Sequence, residues 1–255
     1  MTRHLGAGIG RVLPLIALFA AWQLVSSLGL VSKKLLPSFL DVMVALGAFV
    51  GSGDFLPHTR ASLARAGAGL LVAVIVGVAL GILMARIRLI ERAVEPVLLL
   101  VYPLPKPALI PLFMIWLGIG DFSKVTVIAL ACLLPVVIAA HNGARSVDTM
   151  LLWSARARGT SESRMLWRVI MPSALPEIAA GVRTAIAVAI IVLVSSEFIS
   201  SEAGLGFLIF SYGGVGAEDH MLAVVVFLAL LGYLLDRLYV MALRRVLAWH
   251  EFGRT

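Results

Sequence analysis

Charged residues are scarce in this sequence. They make up 14% of its 255 residues, against about 25% in an ordinary soluble domain. Apolar residues take their place, at 61%. A soluble domain of this size needs a polar shell around its core, and too few polar residues are present to build one. The apolar surplus must therefore face lipid. Cysteine is rarer still. Cys132 is the only one, so no internal disulfide is possible, and its apolar surroundings mark it as a small buried hydrophobe. Acids are outnumbered, 14 against 21 basic residues, for a net charge of +7. In a soluble chain that balance would point to nucleic acid. Here the basic residues fall in short loops between apolar runs, which is the positive-inside pattern, and no nucleic-acid partner is expected.

Catalytic and metal-binding motifs are missing as well. Without a G-x-x-x-x-G-K-[ST] phosphate loop the chain cannot cradle ATP in that way, so energy for pumping must come from another chain or from a gradient. Neither H-E-x-x-H nor C-x-x-C occurs, and no metal site is expected. G-x-S-x-G is absent too. Gly118-Ile119-Gly120-Asp121 imitates the G-x-G-D of intramembrane aspartyl proteases. That chemistry needs two facing carboxylates, and the Tyr-Asp pair that supplies the second does not occur. No enzymatic activity and no bound cofactor are expected.

What the chain does have is long apolar runs. A bilayer core about 30 Å thick needs roughly 20 apolar residues per helix. Six stretches approach that length: 12–31, 67–85, 94–118, 125–140, 178–199 and 221–243. The expected fold is an all-α membrane protein with about six transmembrane helices, organised as one domain over residues 1–255. Arg3, His4 and Arg11 precede the first run much as in a secretory signal, but no A-x-A cleavage site follows, and the run reads as an uncleaved span. Arg3, Arg11, Arg86, Arg88, Arg92, Arg145, Arg156, Arg158, Arg164, Arg168, Arg237, Arg244, Arg245 and Arg254 fall on one side. Lys33, Lys34, Arg60, Arg65 and Lys124 fall on the other. This asymmetry places both termini in the cytoplasm.

Two features stand out along the spans. Gly77 and Gly81 form a G-x-x-x-G, a spacing that lets helices approach closely in lipid. The third run carries Pro103, Pro105, Pro107 and Pro111, which must break or kink its helix, and broken backbone at membrane depth is tolerated only inside protein or along a watery path. Lys106 lies about 18 Å along that run at 1.5 Å per residue, near mid-membrane, where an ionisable group is costly and usually functional. Lys106 is therefore a candidate translocation-path residue. Glu197, late in the fifth span, is a candidate partner for it or a second path residue.

Two loops are long. Residues 32–66 contain Leu36-Pro37-Ser38 and an amphipathic stretch at 42–50. Residues 141–177 are basic and are expected to form a cytoplasmic docking loop. They contain Trp153-Ser154-Ala155-Arg156-Ala157-Arg158-Gly159, nine further residues, and Val169-Ile170-Met171-Pro172. This pattern predicts a helix, a glycine break, a second amphipathic helix with Leu166 and Trp167 on an apolar stripe, and a proline stop before the next span.

The same pattern resembles the E-A-A-x-x-x-G-x9-I-x-L-P motif of ABC importer permeases. Gly159, Pro172 and Ala155 match it. Val169 and Met171 are conservative, Ser154 replaces the first alanine, and Trp153 stands where the motif has glutamate. Other segments resemble the family in order: residues 36–38, 58–65, 111–120, 145–148, 172–176, 181–183 and 204–209. Together they look like the nitrate/sulfonate/taurine-type branch.

The resemblance implies a type I ABC importer permease (MetI-like) fold in the bacterial inner membrane. It implies a coupling element at 141–177, with Trp153, Ser154, Ala155, Arg158, Gly159, Leu166 and Pro172 facing a cytoplasmic ABC ATPase that carries ATP and Mg. It also implies a second permease copy, as a homodimer, and a periplasmic or lipid-anchored binding protein that delivers a small anionic solute. Beside it stands a gradient-driven secondary carrier or channel working without an ATPase, which needs intramembrane acids for ion coupling. Glu197 is the acid well inside a span, Asp236 lies near an inner end, and no inverted repeat is visible.

Overall fold

The computed structural model describes the backbone of residues 2–248 and the side chains of 13, 14 and 16–248. Those residues form helices joined by turns, with no strand among them. Four helices are long and apolar enough to cross a membrane: α3 (Phe55–Arg86), α6 (Asp121–Arg145), the continuous helix α8–α9 (Glu162–Ile199), and α11 (Glu218–Val246). A fifth crossing is made in two legs, α4 (Arg88–Val101) and the Lys106–Leu117 segment, which meet at 95°. That segment is one 3-10 turn, Lys106–Leu109, followed by α5 (Ile110–Leu117). The expected first span falls on α1 (Thr2–Ser27). Its side chains before Leu13, including Arg3 and Arg11, lie outside those described, as do Arg254 and the carboxyl end.

The core is a three-helix packing of α3, α6 and the long helix ending at Ile199. Its centre is Ala73, Ile128, Ala131, Cys132, Val136, Ala185 and Ala189. In lipid no hydrophobic drive brings helices together, so close packing of small residues does it. The Gly77/Gly81 spacing serves this purpose within the chain. A Cβ on Gly81 would lie 2.6 Å from the Val137 carbonyl oxygen, and one on Gly77 would lie 2.8 Å from Val136 Cγ1. These contacts run in step along both helices, so α3 and α6 are parallel. The chain between them must then return from one end to the other, and α4–α5 is that return.

The third span departs from a simple kinked helix. Val94–Gly118 was the expected run, but the helix begins at Arg88, directly after an extended Ile87 (φ −123°, ψ 103°), and stops at Val101. Pro103 and Pro105 lack the N–H groups that would continue it. The second span is also longer than its apolar core. α3 starts at Phe55, which takes Arg60 and Arg65 out of the expected loop and into the helix.

The remaining helices pack along α11. α2 (Phe39–Gly51) is the expected amphipathic stretch, capped by Ser38 Oγ accepting from the Asp41 amide at 3.2 Å. Its Val42 and Ala45 pack on Ala223. Phe49 meets Phe55 and Phe227 edge-on, under α10 (Leu205–Gly214). Leu205, Leu208 and Val224 complete that cluster.

Candidate functional site

The expected 141–177 loop is shorter in the structure, because α6 runs on to Arg145 and the next span's helix takes in 171–177. Asp148 caps α7 (Thr149–Ala157), its carboxylate accepting from the Met150 amide at 2.8 Å. Gly159 ends it, with φ +74°. The Thr160 amide donates to the Ala155 carbonyl at 3.1 Å, and the Gly159 amide to Arg156 at 2.9 Å. This pair of bonds is a Schellman C-cap, which needs a left-handed residue at the Gly159 position. A new helix then begins at Glu162.

The expected proline stop is corrected here. The helix does not end before Pro172 but passes straight through it. Over Leu166–Ile170 the winding loosens to a π-turn, with the Met171 amide donating to the Leu166 carbonyl. Such a bulge absorbs a residue that would otherwise clash one turn back. Pro172 and Pro176 therefore sit inside a helix that continues to Ile199. Met165 and Ile170 are buried against Ile82, Ala144 and Val147, with Leu166 partly buried beside them. Leu166 thus anchors the loop to α3 and α6. Trp153 and Trp167 are 63% and 65% exposed. Ser154, Arg158, Gly159 and Pro172 are exposed too, and Ala155 is half-buried.

Lys106 sits at the 95° corner of the broken span. Its Nζ donates to the carbonyls of Tyr102 at 2.6 Å and Val101 at 3.1 Å. A helix C-terminus leaves carbonyls without intrahelical partners and carries partial negative charge. Pro103 and Pro105 offer them no N–H; the ammonium does, joined on the Val101 carbonyl by the Leu104 amide at 3.2 Å. Lys106 also lines a groove of about 450 Å³ with Leu134, Ile138, Thr184, Val188 and Ile191, and it is the one charged residue in that lining.

Glu197 lies elsewhere and is not paired with Lys106. It is 1% exposed. Its carboxylate accepts from Arg65 Nη1 at 2.7 Å, Ser62 Oγ at 2.8 and 2.9 Å, and the Gly206 amide at 3.0 Å. The last bond places it at the N-terminus of α10, where a carboxylate is favoured. The Leu205 amide donates to Ser62 Oγ at 2.8 Å and the Gly204 amide to His58 Nδ1 at 3.0 Å. Gly204, at φ +130°, permits this wrap, since a Cβ there would overlap the Glu197 carboxyl. Arg65 also donates from Nε to Asp121 at 2.7 Å. Asp121, the false protease motif, is thus an ion-pair member at the start of α6.

The sequence placed Arg65 in a loop, so this network was missed. One signal pointed to it: a carboxylate deep in an apolar run demands a nearby cation. Arg183 and Asp236 form a second pair between spans, at 2.6 and 2.8 Å.

Against known proteins, residues 77–248 match the family model described as binding-protein-dependent transport system inner membrane component. The chain belongs to this family. It is therefore a multi-pass inner-membrane permease component, as the 153–172 motif led one to expect. The taurine transport system permease protein TauC of Escherichia coli (strain K12) is 34% identical over 98% of this chain and 92% of its own length. The putative aliphatic sulfonates permease SsuC of Bacillus subtilis (strain 168) is 31% identical over 95% and 87%. The inward-facing methionine ABC transporter MetNI shares the fold, with a TM-score of 0.63 at 21% identity over 80% of this permease and 97% of that chain.

Proposed function

We propose that this permease forms the translocation path of an ATP-driven importer for a small sulfonate-type anion. The observation that carries the reading is its likeness, over nearly its whole length, to permeases named for taurine and aliphatic sulfonates. A homodimer would line the path with two copies of the Lys106 groove. A binding protein outside would load it, and cytoplasmic ATPase subunits holding ATP and Mg would engage residues 141–177, both termini lying on their side. The permease itself makes and breaks no bond.

The gradient-driven alternative loses both of the acids the sequence offered it. A carrier needs a carboxylate free to change its charge along the path. Glu197 is held by Arg65, and Asp236 by Arg183.

The test is uptake of labelled taurine and short alkanesulfonates into proteoliposomes holding the permease, its ATPase and its binding protein. ATP inside should be required, and collapsing the proton gradient should change nothing. Uptake by the permease alone, driven by a gradient, would overturn the reading.

A further inference from the structure

Charge in the 141–177 loop does not balance. Glu162 is shared by Arg86 and Arg156, the latter at 3.3 Å. Arg145 pairs with Glu91, and Asp148 caps α7. Among the described residues no carboxylate lies within salt-bridge distance of Arg158, Arg164 or Arg168. Arg158 donates to Ser154 Oγ at 3.2 Å and so finds no counter-charge there. These three arginines line one concavity of about 310 Å³, and Leu151, Ala155 and Val169 add apolar surface to its lining. Trp153 and Trp167 stand exposed on the same loop.

We propose that this concavity receives acidic side chains of the ATPase subunit. The inference rests on the importer reading above and adds the polarity of the contact. Guanidinium groups bind carboxylates through paired, planar hydrogen bonds, and three of them around one hollow favour an anion on the facing surface. Trp153 brings no charge where the family motif has glutamate, so this permease offers cations and an indole to its partner, and the partner's groove must supply the acids. Anionic lipid headgroups share the charge preference. The apolar part of the lining favours a protein side chain that fills the hollow as well as neutralising it.

The experiment measures the affinity of the purified ATPase for the full-length permease in phosphatidylcholine nanodiscs across a salt series. Wild-type binding should weaken as salt rises. R164Q/R168Q should bind about tenfold more weakly with a flatter salt dependence, as expected when close charge pairs are lost. R158Q should move the same way. W153A should weaken binding while keeping the wild-type salt slope, and W153E should weaken it further, because its acid would face acids. Wild-type affinity and slope in R164Q/R168Q would overturn the dock. So would tighter binding by W153E, or an arginine effect that appears only when phosphatidylglycerol is added. Failure of the wild-type permease to bind the ATPase at all would instead overturn the importer reading beneath it.

Discussion

Arg65 Nη1 and Glu197 Oε1 meet at 2.7 Å across 132 positions of sequence, both nearly inaccessible at 8% and 1% exposure. The pair ties α3 to the end of the longest helix, and through Gly206 and Asp121 it holds the starts of α10 and α6. Low dielectric strengthens such a pair, yet its desolvation is expensive, so its net worth differs from the cost of breaking it.

Glu197→Ala should therefore destabilise the protein by about 3–5 kcal/mol, toward the lower figure because Arg65 keeps Asp121. Thermal unfolding in detergent checks this. The double replacement Arg65→Met with Glu197→Leu should recover part of the loss. An unchanged midpoint in Glu197→Ala would mean that the pair contributes nothing.

Lys106 carries two separable properties, hydrogen bonds to α4 carbonyls and a positive charge. Lys106→Gln keeps an amide donor, one bond shorter and without the charge, and Lys106→Ala removes both. Uptake of an anionic substrate should fall about tenfold in kcat/KM in both variants, equivalent to ~1.4 kcal/mol. Stability should fall chiefly in Lys106→Ala, and assembly with the ATPase should persist in each. Wild-type uptake in Lys106→Gln would reduce Lys106 to a helix cap.

Gly159 takes a backbone conformation that costs a side-chain-bearing residue about 1–2 kcal/mol. A Cβ there meets nothing within 4 Å, so the strain stays local to the loop. Gly159→Val should reach the membrane at near-normal abundance but lose ATPase co-purification, or hydrolyse ATP without uptake. Gly159→Asn should be milder, because asparagine tolerates this conformation. Wild-type uptake, hydrolysis and pull-down in the valine variant would exclude the loop as the coupling element.

Orientation is checked with reporters. Fusions after Ser201 should read periplasmic and fusions at Gly159 cytoplasmic, as arginine placement requires. The opposite pattern would invert the assignment of residues 141–177.

The spans were legible because hydropathy reports lipid contact directly, and the Gly159 break was legible because few residues other than glycine end a helix in that way. Arg65 was not legible. A polar residue at the head of α3 looks like loop in a hydropathy profile, and only the fold shows that its charge is spent on Glu197. Pro172 misled for a related reason: proline stops an α-helix, but the π-turn that tolerates it has no signature in composition. Lys106 was legible as an outlier, while its binding to α4 carbonyls depends on where the prolines stop the helix.

The π-turn spares the chain a joint. From Glu162 to Ile199 runs one unbroken helix of 38 residues, about 57 Å along its axis at 1.5 Å per residue. One end carries the arginine-lined hollow beside α7, and Glu197 stands two residues from the other. A rod of that length tilted by roughly ten degrees moves its far tip about 10 Å, several times the reach of a hydrogen bond. If the helix moves as one body, a push at the hollow reaches Glu197 without any intervening messenger. Whatever tilts the rod must carry α3 and α10 along with it or pull the Arg65 clasp open.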